Sequence, residues 1–227
     1  MAVVLWFATG ILVRPDLCTA RESLSVGGSW HFATDKKSEG IRERWFAGHK
    51  YENTIELPGT MDLAGYGDPA PKADIDNQWT FGWRRPLVYT GSAWFEREVV
   101  IPQTWAGKRI TLFLEQTRSE STVWIDGSQV SPTEVSLLTS HRHDLGFSLT
   151  PGRHRITLRL DNSNKRGIGG SYVRSAMGQG NWQGVTGCME LQATDPLWIE
   201  NVRFDPTDGS LAEITVKLGN ITGKRLS

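Results

Sequence analysis

Cysteine, unbalanced charge, long apolar runs and long helical periods are all scarce in this chain of 227 residues, and each scarcity excludes something. The two cysteines are Cys18 and Cys188, and removal of a leader at Ala20 leaves only Cys188, which excludes an intrachain disulfide. The 25 Lys and Arg residues balance the 25 Asp and Glu residues and are scattered. That balance lacks the electrostatic footprint of a nucleic-acid or anionic-membrane binder and suits a neutral ligand better. The apolar run from Ala2 to Val13 is too short to cross a bilayer, so no membrane span is expected. No long 3.6-residue period occurs. The best helical candidate, Gly40 to Lys50, is short, and Trp45-Phe46 would pin it to a sheet. Neither a phosphate-cradling glycine loop nor a Ser-His-Asp arrangement stands out.

Tryptophan, by contrast, is abundant at ten residues, and indole combines a flat apolar face with one donor, a pairing that suits pyranose rings. Core packing is the competing reading for any single one of them. Period-2 runs at Thr54–Leu57, Ala93–Ile101, Arg109–Glu115, Thr122–Ile125 and Arg155–Leu160 read as half-buried strands. Ile110, Leu112 and Leu114 share one face, as do Ile156, Leu158 and Leu160, so both strands should be central and face one core. Cys188 lies in another alternating segment and reads as a small buried hydrophobe rather than a reactive thiol. Two long loops, Pro58 to Ser92 and Ser163 to Gly180, interrupt the strands, and loops of that length are commonly functional. Ala2 to Val13 followed by Cys18-Thr19-Ala20 has the form of a signal peptide over residues 1–20, although no Lys or Arg precedes the run. An exported protein, periplasmic or extracellular, is the expectation.

The motifs carry more. In order, the chain has Trp30, Leu57-Pro-Gly-Thr-Met-Asp-Leu63, Tyr89-Thr-Gly-Ser-Ala-Trp-Phe-Glu-Arg97 and Ile101-Pro-Gln-Thr-Trp-Ala-Gly-Lys-Arg109. Two hairpin signals follow, Val123-Trp-Ile-Asp-Gly127 and Leu149-Thr-Pro-Gly-Arg-His-Arg-Ile156, and then Asn181-Trp-Gln-Gly-Val-Thr-Gly-Cys-Met-Glu-Leu191. This order resembles the N-terminal sugar-binding domain of glycoside hydrolase family 2, β-galactosidase-like members included. The resemblance implies an all-β fold: a jelly-roll β-sandwich, galactose-binding-domain-like, over residues 24–193. It also implies that residues 194–227 start an incomplete immunoglobulin-like domain, because two strands joined by a Pro-Thr-Asp-Gly turn are too short to be a whole one. In that family the catalytic glutamates lie in a later (β/α)8 barrel. The jelly roll leans on the barrel and lends loops to one wall of the sugar pocket. Carried onto this chain, the wall positions lie in the turn around Tyr89 and beside Trp182, where Asn181 and Gln183 can hydrogen-bond. Trp83 and Arg84 join them from the composition of the first long loop, as stacking and hydrogen-bonding groups free of strand constraints. Relatives place an Asn in the first segment and an acidic residue just before the Trp in the second. Here Val88-Tyr89 and Gly180-Asn181 stand instead, so a charged contact to a sugar or a bound cation does not carry over. Trp182, opening a strand, reads more readily as the plug of a sandwich end.

A retaining glycosidase needs two carboxylates about 5 Å apart. None of the carboxylates sits in the expected context, and Glu96, Glu98, Glu115, Glu120 and Glu134 read as solvated. His141 and His143 can share one strand face, yet no third ligand is near in sequence, so neither metal nor other cofactor is expected. Two functions remain. One is a non-catalytic sugar-binding and bracing domain of an exported β-galactosidase-like hydrolase, partnered by carbohydrate and by the barrel of the same polypeptide. The other is a free-standing carbohydrate-binding module. The unfinished hairpin after Ala193 favours the first.

Overall fold

The computed structural model describes residues 21–70, 85–163, 181–208 and 211–223. The first strands are β1 (Glu22–Ser25), β2 (Gly28–Asp35), β3 (Asn53–Leu57), β4 (Gly59–Thr60), β5 (Asp68–Pro69), β6 (Leu87–Val88), β7 (Ser92–Ile101) and β8 (Arg109–Thr117). They continue as β9 (Ser119–Ile125), β10 (Ser128–Gln129), β11 (Glu134–Ser136), β12 (His141–Gly146), β13 (Gly152–Asp161), β14 (Gly184–Thr194), β15 (Leu197–Asp208) and β16 (Leu211–Asn220). One antiparallel sheet runs β10-β9-β13-β7-β2-β3 with β11 also on β9, and the other runs β1-β14-β8-β12 with β4 on β14. Alternation dictates the faces. Ile110, Leu112 and Leu114 of β8 meet Ile156, Leu158 and Leu160 of β13 in one buried cluster, together with Trp30, Phe32, Phe95, Val123 and Leu191. Strand β8 lies between β14 and β12 and β13 between β9 and β7, so both are central.

The segment at Gly40 to Lys50 is less helical than its sequence suggests. Only a 3-10 turn, Trp45–Ala47, forms, with Arg44 left-handed at its start. The aromatics nevertheless pin it to the outer face of the larger sheet: Phe46 stacks on Trp124 at 5.2 Å and lies 6.4 Å from Trp94. The Trp94 indole in turn donates to the Asp35 carboxylate at 3.0 Å. On the same sheet, Glu96 is not solvated, contrary to expectation. It is half-buried, and that burial raises its carboxyl above the usual range although Arg155 and Thr157 pull the other way.

Cys188 is also not where alternation puts it. A register shift between Thr186 and Met189 interrupts the β14–β8 ladder, Gly187 takes φ 76°, and the thiol turns outward to solvent. The Cys188 N–H then donates to the Glu115 carboxylate at 2.6 Å. A bulge shifts every later side chain by one place, so simple alternation misassigns the residue inside it.

Strands β15 and β16 pair only with each other. Register puts Ile199 opposite Leu218, Val202 opposite Val216 and Phe204 opposite Ile214, all on one face of the ribbon. Among them Ile199, Val202, Phe204 and Leu218 are exposed.

Candidate functional site

The turn Tyr89-Thr90-Gly91 ahead of β7, Asn162 at the end of β13 and Asn181-Trp182-Gln183 ahead of β14 meet at one end of the sandwich. Asn162 holds them together. Its Oδ1 accepts the Gly91 N–H at 2.9 Å, and its Nδ2 donates to the carbonyls of Tyr89 at 2.7 Å and Trp182 at 3.0 Å. An N–H facing one end of the amide and two carbonyls facing the other fix its orientation. Gln183 does similar work from the next strand, its Nε2 donating to the carbonyls of Gly91 at 2.9 Å and Leu160 at 3.0 Å. Asn181 Nδ2 donates to the Asn162 carbonyl at 3.1 Å.

Of the residues expected from the sequence, Tyr89, Asn181, Trp182 and Gln183 are thus brought together, while Trp83 and Arg84 lie outside the described residues. Tyr89, Trp182 and Gln183 are buried, and Asn181 is half-buried. The Tyr89 hydroxyl donates to the Ser92 carbonyl at 2.6 Å and accepts the Asp35 N–H at 3.1 Å. Burial pushes that phenol up to about 12. Trp182 lies under the Arg118 guanidinium, 5.1 Å from its ring centre, and fills the sandwich end as its place before a strand suggests. Two acceptors remain with no hydrogen-bond partner, Asn181 Oδ1 and Gln183 Oε1, both buried.

Beside this platform the Met61 N–H donates to the Gln183 carbonyl at 2.8 Å. That contact sets the next residue, Asp62, near the same end. Its carboxylate accepts from Arg85 at 2.6 Å, and Arg85 also donates to Thr60 Oγ1 at 3.2 Å. Asp62 Oδ1 is buried and has no partner. Gly184 makes the close approach of β4 and β14 possible: its φ is 136°, and a Cβ there would collide with the Gly59 carbonyl oxygen. Sequence reasoning missed Asn162, Asp62 and Arg85. Asn162 had a detectable signal, since it is an amide directly after an alternating strand, where turn chemistry is common.

Chemically, this end offers amide acceptors, a buried indole and two carboxylates, each paired with an arginine. Among the described residues here, Asp62 is tied to Arg85 and Asp161 to Arg159, each at 2.6 Å. No group of three His, Cys, Asp or Glu among the described residues could hold a metal ion, and no described helix is long and apolar enough to cross a membrane.

Residues 23–176 match the family model described as "Glycosyl hydrolases family 2, sugar binding domain". Curated relatives include a β-glucuronidase of Paenibacillus borealis, 25% identical over 152 residues, and the human β-glucuronidase, 26% identical over 165 residues. These alignments cover 66% and 68% of this chain but 23% of each relative, so the chain spans about a quarter of their length. Among solved structures, β-glucuronidase from Ruminococcus gnavus superposes with a TM-score of 0.65 at 16% identity, covering 91% of this chain and 34% of that one. An uncultured Clostridium sp. β-glucuronidase gives 0.60 at 15% identity over 95% and 36%. The fold is shared with these enzymes, and the family match spans more than half of the sequence: the chain belongs to glycosyl hydrolase family 2 and carries its sugar binding domain.

Proposed function

We propose that this domain is the non-catalytic sugar-binding and bracing element of an exported family 2 hydrolase that cleaves a β-glycoside, with acid/base and nucleophile supplied by a (β/α)8 barrel elsewhere in the polypeptide. The observation that carries this reading is the Asn162 lock. The side-chain donors of Asn162 and Gln183 are used to fix the backbone of the 89–91 turn and residues 181–183, which makes a rigid wall rather than a set of free ligand contacts. Buried acceptors at Asn181 and Gln183 support a hydroxyl-bearing partner at that wall. The relatives' names support a β-glucuronide as the glycoside, whereas a β-galactoside rests on the motif order alone. Export rests on the apolar run Ala2 to Val13.

The apolar face of β15–β16 supports a further assignment, the opening hairpin of an immunoglobulin-like domain from residue 194 onward, whose other sheet covers that face. A two-stranded ribbon is at best marginal by itself in water.

Half a pocket buries little of a sugar, and little remains to offset the loss of translational freedom on binding. Titrating the tryptophan fluorescence of the purified chain with galactose or glucuronate should therefore give a dissociation constant on the order of millimolar or weaker. Chromogenic β-galactoside, β-glucuronide and β-mannoside should not turn over. Micromolar affinity lost on Trp83→Ala would establish a free-standing binding module instead, and turnover in a preparation free of host enzyme would overturn the non-catalytic reading.

A further inference from the structure

His141 and His143 occupy successive inward positions of β12, opposite Leu114 and Leu112 of β8, at the edge where the two sheets of the sandwich close on each other. Both rings are buried, and between them sits Ser121 of β9, a residue of the opposite sheet that is also buried. Ser121 Oγ lies 2.6 Å from His141 Nδ1 and 2.7 Å from His143 Nε2. Ser131 Oγ, in the turn between β10 and β11, lies 2.8 Å from His143 Nδ1, and His141 Nε2 lies 3.3 Å from the Ser136 carbonyl of β11.

With both rings neutral, the Ser136, Ser121 and Ser131 contacts can all be satisfied at once. A carbonyl only accepts, so His141 Nε2 carries its proton and Nδ1 accepts from the Ser121 hydroxyl. Ser121 Oγ then accepts from His143 Nε2–H, and His143 Nδ1 accepts from the Ser131 hydroxyl. A proton added at His141 Nδ1 ends the arrangement: the Ser121 hydrogen loses its acceptor unless His143 changes tautomer. A second proton leaves two cations on either side of one oxygen, in a site closed to water.

Among the described residues, no carboxylate hydrogen-bonds either ring. Arg142 and Asp144 of β12, and Arg109 and Glu115 of β8, stand at positions that alternate with the inward ones. Glu120 of β9, and Arg155, Arg159 and Asp161 of β13, do the same on the opposing sheet. Glu134 of β11 pairs with Ser121 and is the one carboxylate at an inward register position on these elements, yet the hydrogen bonds of the rings go to serine hydroxyls and to the backbone carbonyls of Ser136 and Pro132 instead. We propose that Ser131, His143, Ser121 and His141 form an acid-labile clasp, closed while both imidazoles are neutral and released by proton uptake, which frees β11 and the β10–β11 turn from β12.

Burial lowers both rings, and the neighbouring His141 lowers His143 further, to about 4, against a weaker pull upward from the Pro132 carbonyl. The unfolded chain binds these protons from the ordinary histidine value near 6.5 downward, so the contribution of the rings is constant above that pH and falls below it, for His143 down to about 4. His143 contributes up to about a tenfold fall in the folding equilibrium constant per pH unit within that window, and His141 adds a fall in the same direction.

Urea melts of the full chain at steps from pH 7.5 to 4.5 test the clasp against a His141→Gln/His143→Gln double variant. Wild type should lose more stability per pH unit than the variant, up to about tenfold in the folding equilibrium constant from His143 alone. Equal slopes would overturn the proposal. Should the variant fail to fold, imidazole carbon and nitrogen NMR of wild type decides. His141 protonated on Nε2 alone down to the onset of unfolding supports the clasp, and either buried ring titrating near 6.5 in the folded protein removes it.

Discussion

Strands β8 and β13 lose every apolar side chain of one face to a shared core, whereas β15 and β16 carry an equally apolar face into solvent. The chemistry of the two ribbons is alike: Ile110, Leu112 and Leu114 in one, Ile199, Val202 and Phe204 in the other. Leu112 is 0% exposed and Phe204 63%. The difference lies in what faces them. The hydrophobic contribution follows area removed from water, so an apolar strand stabilises only what a second layer covers. The jelly roll has that layer within the described residues, and the hairpin does not.

The largest effect that would sharpen this contrast is Leu112→Ala or Leu158→Ala. Each removes buried methyl groups from a site enclosed on both sheets and should cost about 2 to 5 kcal/mol in a urea melt. A loss under about 0.5 kcal/mol would mean that the enclosed strand is no more committed than the open one.

Asn162→Ala is next. It leaves the Gly91 N–H and the Tyr89 and Trp182 carbonyls without this side chain at a buried position. Unsatisfied buried polar groups cost about 1 to 3 kcal/mol, and that is the expected range. Asn162→Asp keeps the acceptor for Gly91 and sets a carboxylate against two carbonyls, so it should be no better than alanine. If both variants melt with wild type, the lock is not what holds the wall.

Legibility in the sequence divides along the same line. Strict alternation at Arg109–Glu115 and Arg155–Leu160 revealed the core faces, and the motif order indicated the family. What stayed hidden depends on contacts between segments distant in the chain. Asn162 is a plain turn residue until Tyr89 and Trp182 arrive beside it. Glu96 is a surface carboxylate until Thr157 and Arg155 of the neighbouring strand meet it, and Cys188 is a core residue until the bulge turns it out. The Ser121 clasp was half visible, since His141 and His143 were expected on one face, but the serine between them comes from the other sheet. Local pattern reports which way a side chain points, not what it meets.

The smallest expected effect probes the hairpin itself. Phe204 sits opposite Ile214, and such a cross-strand pair is worth roughly 0.2 to 1 kcal/mol to the two strands that share it. Neither strand pairs with either sheet of the sandwich, so the pair adds little to the unfolding of the jelly roll. Phe204→Ser should therefore change the main urea transition by less than about 0.5 kcal/mol, as surface substitutions usually do. Because the side chain is already mostly in water, little transfer free energy is left to lose. A loss above about 1 kcal/mol would mean that the face is covered in solution. If the wild-type midpoint then rose with protein concentration, the cover would be a second copy of the chain, because only association makes stability depend on concentration.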